Sequence, residues 1–198
     1  MAAASIEFQG RPAVRLELPD GTSCTIALHG AHVLSWITAE GIERLYLSPE
    51  ARFDGRSAIR GGVPVCWPQF NQRGALPKHG FARTMAWQLA DSGTVESGDG
   101  CTVALSLRDT EATRAIWPHA FAARLTVKLA PRSLHIALDI ENTGDGPLSF
   151  TAALHTYLRV ADIAAAALQG LAGARRWDAV RDVHENDAAP ELRFGAEF

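Results

Sequence analysis

Cysteine is scarce in this chain and badly spaced for cross-linking. Cys24, Cys66 and Cys101 lie far apart and are odd in number. They compose neither a disulfide framework nor a zinc knuckle, and a reducing, cytoplasmic setting is the natural expectation. A basic excess is also missing: 19 Lys and Arg against 22 Asp and Glu leave a net charge of −3. That balance argues against a nucleic-acid partner, while still leaving room for a local basic pocket. No apolar run approaches membrane-spanning length, since Ala161 to Leu168 is short and contains Asp162. The start, MAAASIEF, has neither the charged nor the apolar region of a signal peptide. Arg60-Gly61-Gly62 is not followed by the GK[ST] of a nucleotide phosphate loop. No repeat period is visible. A soluble cytoplasmic protein with no membrane or nucleic-acid partner is expected.

What is present is the composition of a globular protein, 47% apolar and 21% charged over 198 residues. One domain covering residues 1–198 is expected. Val14, Leu16 and Leu18 alternate with Arg15 and Glu17, a half-buried strand ended by Pro19-Asp20-Gly21. Ser23 to Leu28 reads as its returning strand, His32 to Thr38 as a third and Arg44 to Leu47 as a short fourth. Trp87 to Ala90 follows as a short strand, and 93–100 as a turn region. Cys101 to Arg108 alternates with Val103, Leu105 and Leu107 inward. Glu111 to Trp117 allows one helical turn, stopped by Pro118. Phe121 to Leu129, Ser133 to Ile140 and Leu148 to Val160 complete the strands, and ELRFGAEF reads as the start of another with no partner after it. Eight or more strands with almost no helix predict an all-β sandwich.

Between Ile59 and Trp87 the pattern breaks down. Gly61-Gly62 and Pro64 forbid a long helix, and Pro68 and Pro77 forbid an uninterrupted central strand. A loop this long in a compact domain is either a functional surface or a solvated excursion. Its side chains are compatible with either, the arginines being merely solvated in the second case. Arg60 and Arg83 can fork onto an anion, His79 can donate or carry a proton, and Trp67 and Phe81 can wall a pocket.

Of the seven histidines, His79 and His155 sit where a reacting group is expected. His155 lies in the apolar run FTAALHTYLRV, where a histidine is more often a satisfied core residue. Alternation nevertheless puts Ala153, His155 and Tyr157 on one face and Leu154 and Leu158 on the other. His29 and His32 have no acidic ligand nearby and Gly30 argues against a helix there, so no metal site is expected. Cys66, in Val63-Pro64-Val65-Cys66-Trp67, reads as a small buried hydrophobe rather than a nucleophile.

The run Arg60 to Pro68, followed by Pro77-Lys78-His79-Gly80-Phe81-Ala82-Arg83 and Trp87, resembles the signature of the hexose-6-phosphate mutarotases. These form the glucose-6-phosphate 1-epimerase branch of the aldose-1-epimerase, or galactose-mutarotase-like, superfamily. Ala153 to Val160 with Asp162-Ile163 resembles a second family motif, and Gly170 to Gly173 with Trp177-Asp178 a third, where Tyr more often precedes the Asp. The resemblance implies a large antiparallel β-sandwich and interconversion of the α and β anomers of a hexose 6-phosphate, without metal or organic cofactor. Position by position, it implies that Arg60 and Arg83 bind the phosphate, that His79 and Asp178 hold sugar hydroxyls, and that His155 is the general acid. The general base in the superfamily is a glutamate near the C-terminal end. Members usually run on past the point where this chain stops, and Glu191 and Glu197 stand in no matching context. The sandwich is therefore expected to lack its C-terminal strands. A sugar-phosphate-binding module without turnover, or a sandwich for neutral glycans, are the alternatives.

Overall fold

A computed structural model describes residues 2–94, 100–178, 181–186 and 188–194. The chain divides into two compact units, Met1–Arg159 and Val160–Phe198.

The first unit contains two four-stranded antiparallel sheets. In one, β1 (Ala2–Phe8), β2 (Arg11–Glu17), β3 (Ser23–Ala27) and β4 (His32–Ile37) pair in sequence order. A two-residue strand, β5 (Val65–Cys66), interrupts the central loop. The other sheet pairs β6 (Gln88–Thr94), β7 (Cys101–Arg108), β8 (Phe121–Ala130) and β9 (Ser133–Asn142), again in order. Strict alternation explains the packing. Leu125 and Val127 of β8 and Val103 and Leu105 of β7 are buried, as are Val14, Leu16 and Ile26 of the facing sheet. All seven belong to one core cluster, with Trp67 inside it. The β-sandwich expected from alternation is the observed architecture.

Between β7 and β8, α1 (Glu111–Ile116) forms the expected helical turn. Thr110 and Thr113 cap it reciprocally, each side chain bonded to the other's backbone N–H.

The structure departs from the expectations at several points: Arg44 to Leu47 makes isolated bridges instead of a strand, and β6 runs on to Thr94, into the expected turn region. Residues 2–8 pair with β2 over seven positions, although Ala-rich sequence gave no strand signal. Leu148 to Val160 is not one long strand: only β10 (Ala153–Leu154) is regular. Its backbone bonds are shared among several short partners, because Pro64 and Pro68 opposite it have no N–H to continue a ladder. Thr151 N donates to Pro68 O, His155 N to Pro64 O and Tyr157 N to Gly62 O, while Tyr157 O accepts from Tyr46 N. Trp67 and Phe81, assigned as pocket walls, are instead buried in the core, edge-on to each other at 5.8 Å.

In the second unit, β11 (Ala167–Gln169) pairs with β14 (Glu191–Arg193), and β12 (Arg175–Asp178) with β13 (Val183–Asn186). The strand expected at Glu191 thus finds its partner upstream. Glu197 lies outside the described residues.

Candidate active site

The site grows from the edge of the first sheet. Val33 of β4 bridges to Val63, and β5 pairs with β10, so that Ala153 faces Cys66 and Leu154 faces Val65. Leu154 and Leu158 then turn to an apolar groove of about 300 Å³ with Leu45, Val63 and Ile136. Ring contacts gather His155 and Tyr157 elsewhere, with Phe70 and His79. The alternation read from the sequence separates these two sets.

The ring centroids of His79 and His155 are 6.1 Å apart, with the rings nearly perpendicular at 81°. Phe70 lies 5.3 Å from His79 and 6.1 Å from His155, and Tyr157 lies 4.9 Å from His155. His79 owes its place to a tight turn. Its N–H donates to Asn71 O at 3.0 Å, and Asn71 N–H returns a bond to its Nδ1 at 3.2 Å. His79 itself has φ of 68°, a left-handed conformation uncommon outside glycine and typical of functional sites. The next residue, Gly80, has φ of 67° and presses on Trp67, where any Cβ would collide with the backbone carbonyl.

Arg83 stands on the short 3-10 turn Ala82–Thr84. Phe81 N and Ala82 N both donate to Trp67 O, and the Trp87 indole donates to Ala82 O at 3.0 Å. One terminal guanidinium nitrogen donates to Lys78 O at 2.9 Å, and Arg83 Nε is buried without a partner. His155 Nδ1 is likewise buried and unpartnered.

Burial, the Arg83 guanidinium, Lys78 and His155 together push His79 down to about 4. The ring is therefore neutral at neutral pH. Because Nδ1 accepts the Asn71 N–H, the proton rests on Nε2, and His79 presents a donor.

Arg60 is placed differently. Its carbonyl accepts Ser48 N at 3.0 Å, and the following Gly61 carbonyl bonds the fully buried His32 ring at 2.7 Å. Gly62 O in turn receives Tyr157 N, tying this segment to the His155 chain. The Arg60 side chain is exposed and has no partner among the described residues. Asp178 belongs to the second unit, at the end of β12. There its carboxylate accepts Arg181 Nε at 2.7 Å and Arg181 N at 3.0 Å. His79 is thus in ring contact with His155 and within electrostatic reach of Arg83, whereas among the described residues no hydrogen bond or ring contact joins the Arg60 side chain to them.

His29 and His32 each direct Nε2 to a backbone carbonyl, Ser57 and Gly61 respectively. Phe70 was overlooked in the sequence. Its only signal was its position between two prolines in the loop, which a core aromatic such as Trp67 shares.

Comparison with known proteins places the chain in a family. Residues 12–186 match the aldose 1-epimerase family. An Escherichia coli (strain K12) protein provisionally named glucose-6-phosphate 1-epimerase is 42% identical over 165 residues, 82% of this chain and 53% of that protein. A Cenchrus ciliaris protein with the same provisional name is 43% identical over 152 residues, 74% of this chain and 46% of its own length. The chain spans about half the length of the curated relatives it matches. Among solved structures, a Salmonella typhimurium protein provisionally named a mutarotase superposes with a TM-score of 0.84 at 32% identity, over 97% of this chain and 63% of that one. Galactose 1-epimerase from Lactobacillus acidophilus, at 17% identity and a TM-score of 0.61, shares the fold. The match over most of the chain, and the relatives at this level of identity, make it a member of the aldose 1-epimerase family.

Proposed function

We propose that this site exchanges the α and β anomers of a hexose 6-phosphate, as in a glucose-6-phosphate 1-epimerase. The observation that carries the reading is the pair of perpendicular imidazoles of His79 and His155 beside the Arg83 guanidinium. The phosphate on C6 is a remote handle, and Arg83 and Arg60 are the forked cations suited to it. His79, neutral and protonated on Nε2, donates to a sugar hydroxyl. His155 delivers a proton to the ring oxygen as a base removes the C1 hydroxyl proton and the C1–O5 bond breaks. Rotation about C1–C2 and the reverse transfers close the ring on the other face. A well-placed proton donor is worth about 10²–10⁴-fold in such a step.

No described carboxylate is assigned the base. Glu191 lies in the second unit, bonded to Gln169 and Arg193. Anomer exchange of glucose 6-phosphate, followed by NMR at equilibrium, tests the reading. A rate above spontaneous mutarotation is expected. Binding of glucose 6-phosphate with no such excess would reduce the site to a sugar-phosphate receptor.

A further inference from the structure

Gln69 is buried, 3% exposed, and lies next to the turn that carries His79. Its amide is used on both sides. Leu76 N–H donates to Oε1 at 3.0 Å, and Nε2 donates to Asn71 O and Leu76 O, both at 3.0 Å. Asn71 O is the same carbonyl that accepts His79 N–H, and Asn71 N–H is the donor to His79 Nδ1. The amide therefore grips the residue that touches the imidazole at two points. Asn71 has φ of 53°, the left-handed conformation that asparagine adopts more readily than most residues. A long apolar or charged side chain at position 69 could not satisfy two carbonyls and one N–H at once.

We propose that Gln69 is a positioning residue that fixes the tautomer of His79. Through the Asn71 peptide it holds an N–H on Nδ1, so that the imidazole carries its proton on Nε2 and can only donate toward the substrate. The inference rests on the assignment of His79 to a sugar hydroxyl. The tautomer itself can be observed whether or not the site turns over. Burial of His79 and the positive charge of Arg83 support the scheme by keeping the ring neutral.

Long-range ¹H–¹⁵N correlation on uniformly labelled protein at pH 7 reads the tautomer directly. Wild-type His79 is expected as the Nε2–H form. In Gln69→Leu the ring should become a mixture of tautomers, and kcat/KM for glucose 6-phosphate should fall by about tenfold, as for loss of one oriented hydrogen bond. Gly74→Ala approaches the amide from the other side: a Cβ there would collide with Gln69 Oε1. Gly74 sits on an exposed part of the loop, so this variant decides the matter if Gln69→Leu does not fold. An Nδ1–H ring in the wild type overturns the proposal. So does a pure Nε2–H ring in a folded variant of either kind. If the wild type exchanges no anomers but the tautomer shifts as stated, the functional reading fails and the positioning role stands.

Discussion

The imidazole of His155 is half-buried within a cluster of aromatic rings. Its Nδ1 is enclosed with no partner, and the rings of Tyr157, Phe70 and His79 surround it. His155→Ala is expected to lower glucose 6-phosphate anomer exchange by about a hundredfold or more, measured by NMR exchange. An unchanged rate would remove it from the mechanism. Arg83 is held as firmly, through the Trp67 carbonyl and the Trp87 indole on its turn. Arg83→Ala should weaken glucose 6-phosphate binding by about tenfold or more while leaving glucose nearly unaffected. Calorimetry at two salt concentrations checks this, because the difference must shrink as ions screen the guanidinium.

At the scale of the element, the unusual feature is a segment built from single bridges instead of a ladder. Residues 60–66 and 153–159 exchange a few bonds with each other and with 44–48, and that irregularity places His155 beside the turn of His79. The close approach of Gly80 to Trp67 joins this turn to the core. Gly80→Ala should cost about 2–4 kcal/mol of stability by urea unfolding, since backbone meets backbone and no side chain can move aside. Leu125, at the centre of β8 and fully buried, gives a reference for ordinary core loss: Leu125→Ala should cost about 2–5 kcal/mol without altering the site. If Gly80→Ala were neutral, the turn would not depend on that contact.

Over the whole molecule, two imidazoles couple stability to pH. Burial first, and then His29 and Arg83, bring His32 down to about 4, partly offset by its bond to Gly61 O, and His79 is held at about the same value. Both rings are neutral in the folded chain and take up protons near their ordinary 6.5 when it unfolds. Between pH 6.5 and about 4 the unfolded state holds more protons, so stability falls as pH falls through that window. Above it the contribution is complete and flat. For the buried His32 the loss amounts to about 3 kcal/mol across the window. Urea unfolding of wild type and His32→Gln at pH 7.5 and 4.5 should show a clearly shallower acid loss in the variant. Equal losses would mean that the ring is not neutral when folded. Among the described residues, no helix is long and apolar enough to cross a membrane.

Periodicity alone determined the sandwich. Strands such as Cys101–Arg108 have one face in the core, and a period of two can be read wherever burial alternates. Identity of the loop residues marked Arg60, His79 and Arg83, because forked cations and imidazoles are rare in a segment that cannot be regular, whereas His155 was singled out on one face of an apolar strand and took its role from the family resemblance. Tertiary structure alone decided what those residues touch. Trp67 and Phe81 went to the core and Phe70 to the histidines, although sequence treats all three alike. Nor could sequence show that Gln69 reaches the His79 turn through Asn71. Such contacts depend on left-handed turns and on single bridges between distant segments, and neither leaves a period in the chain.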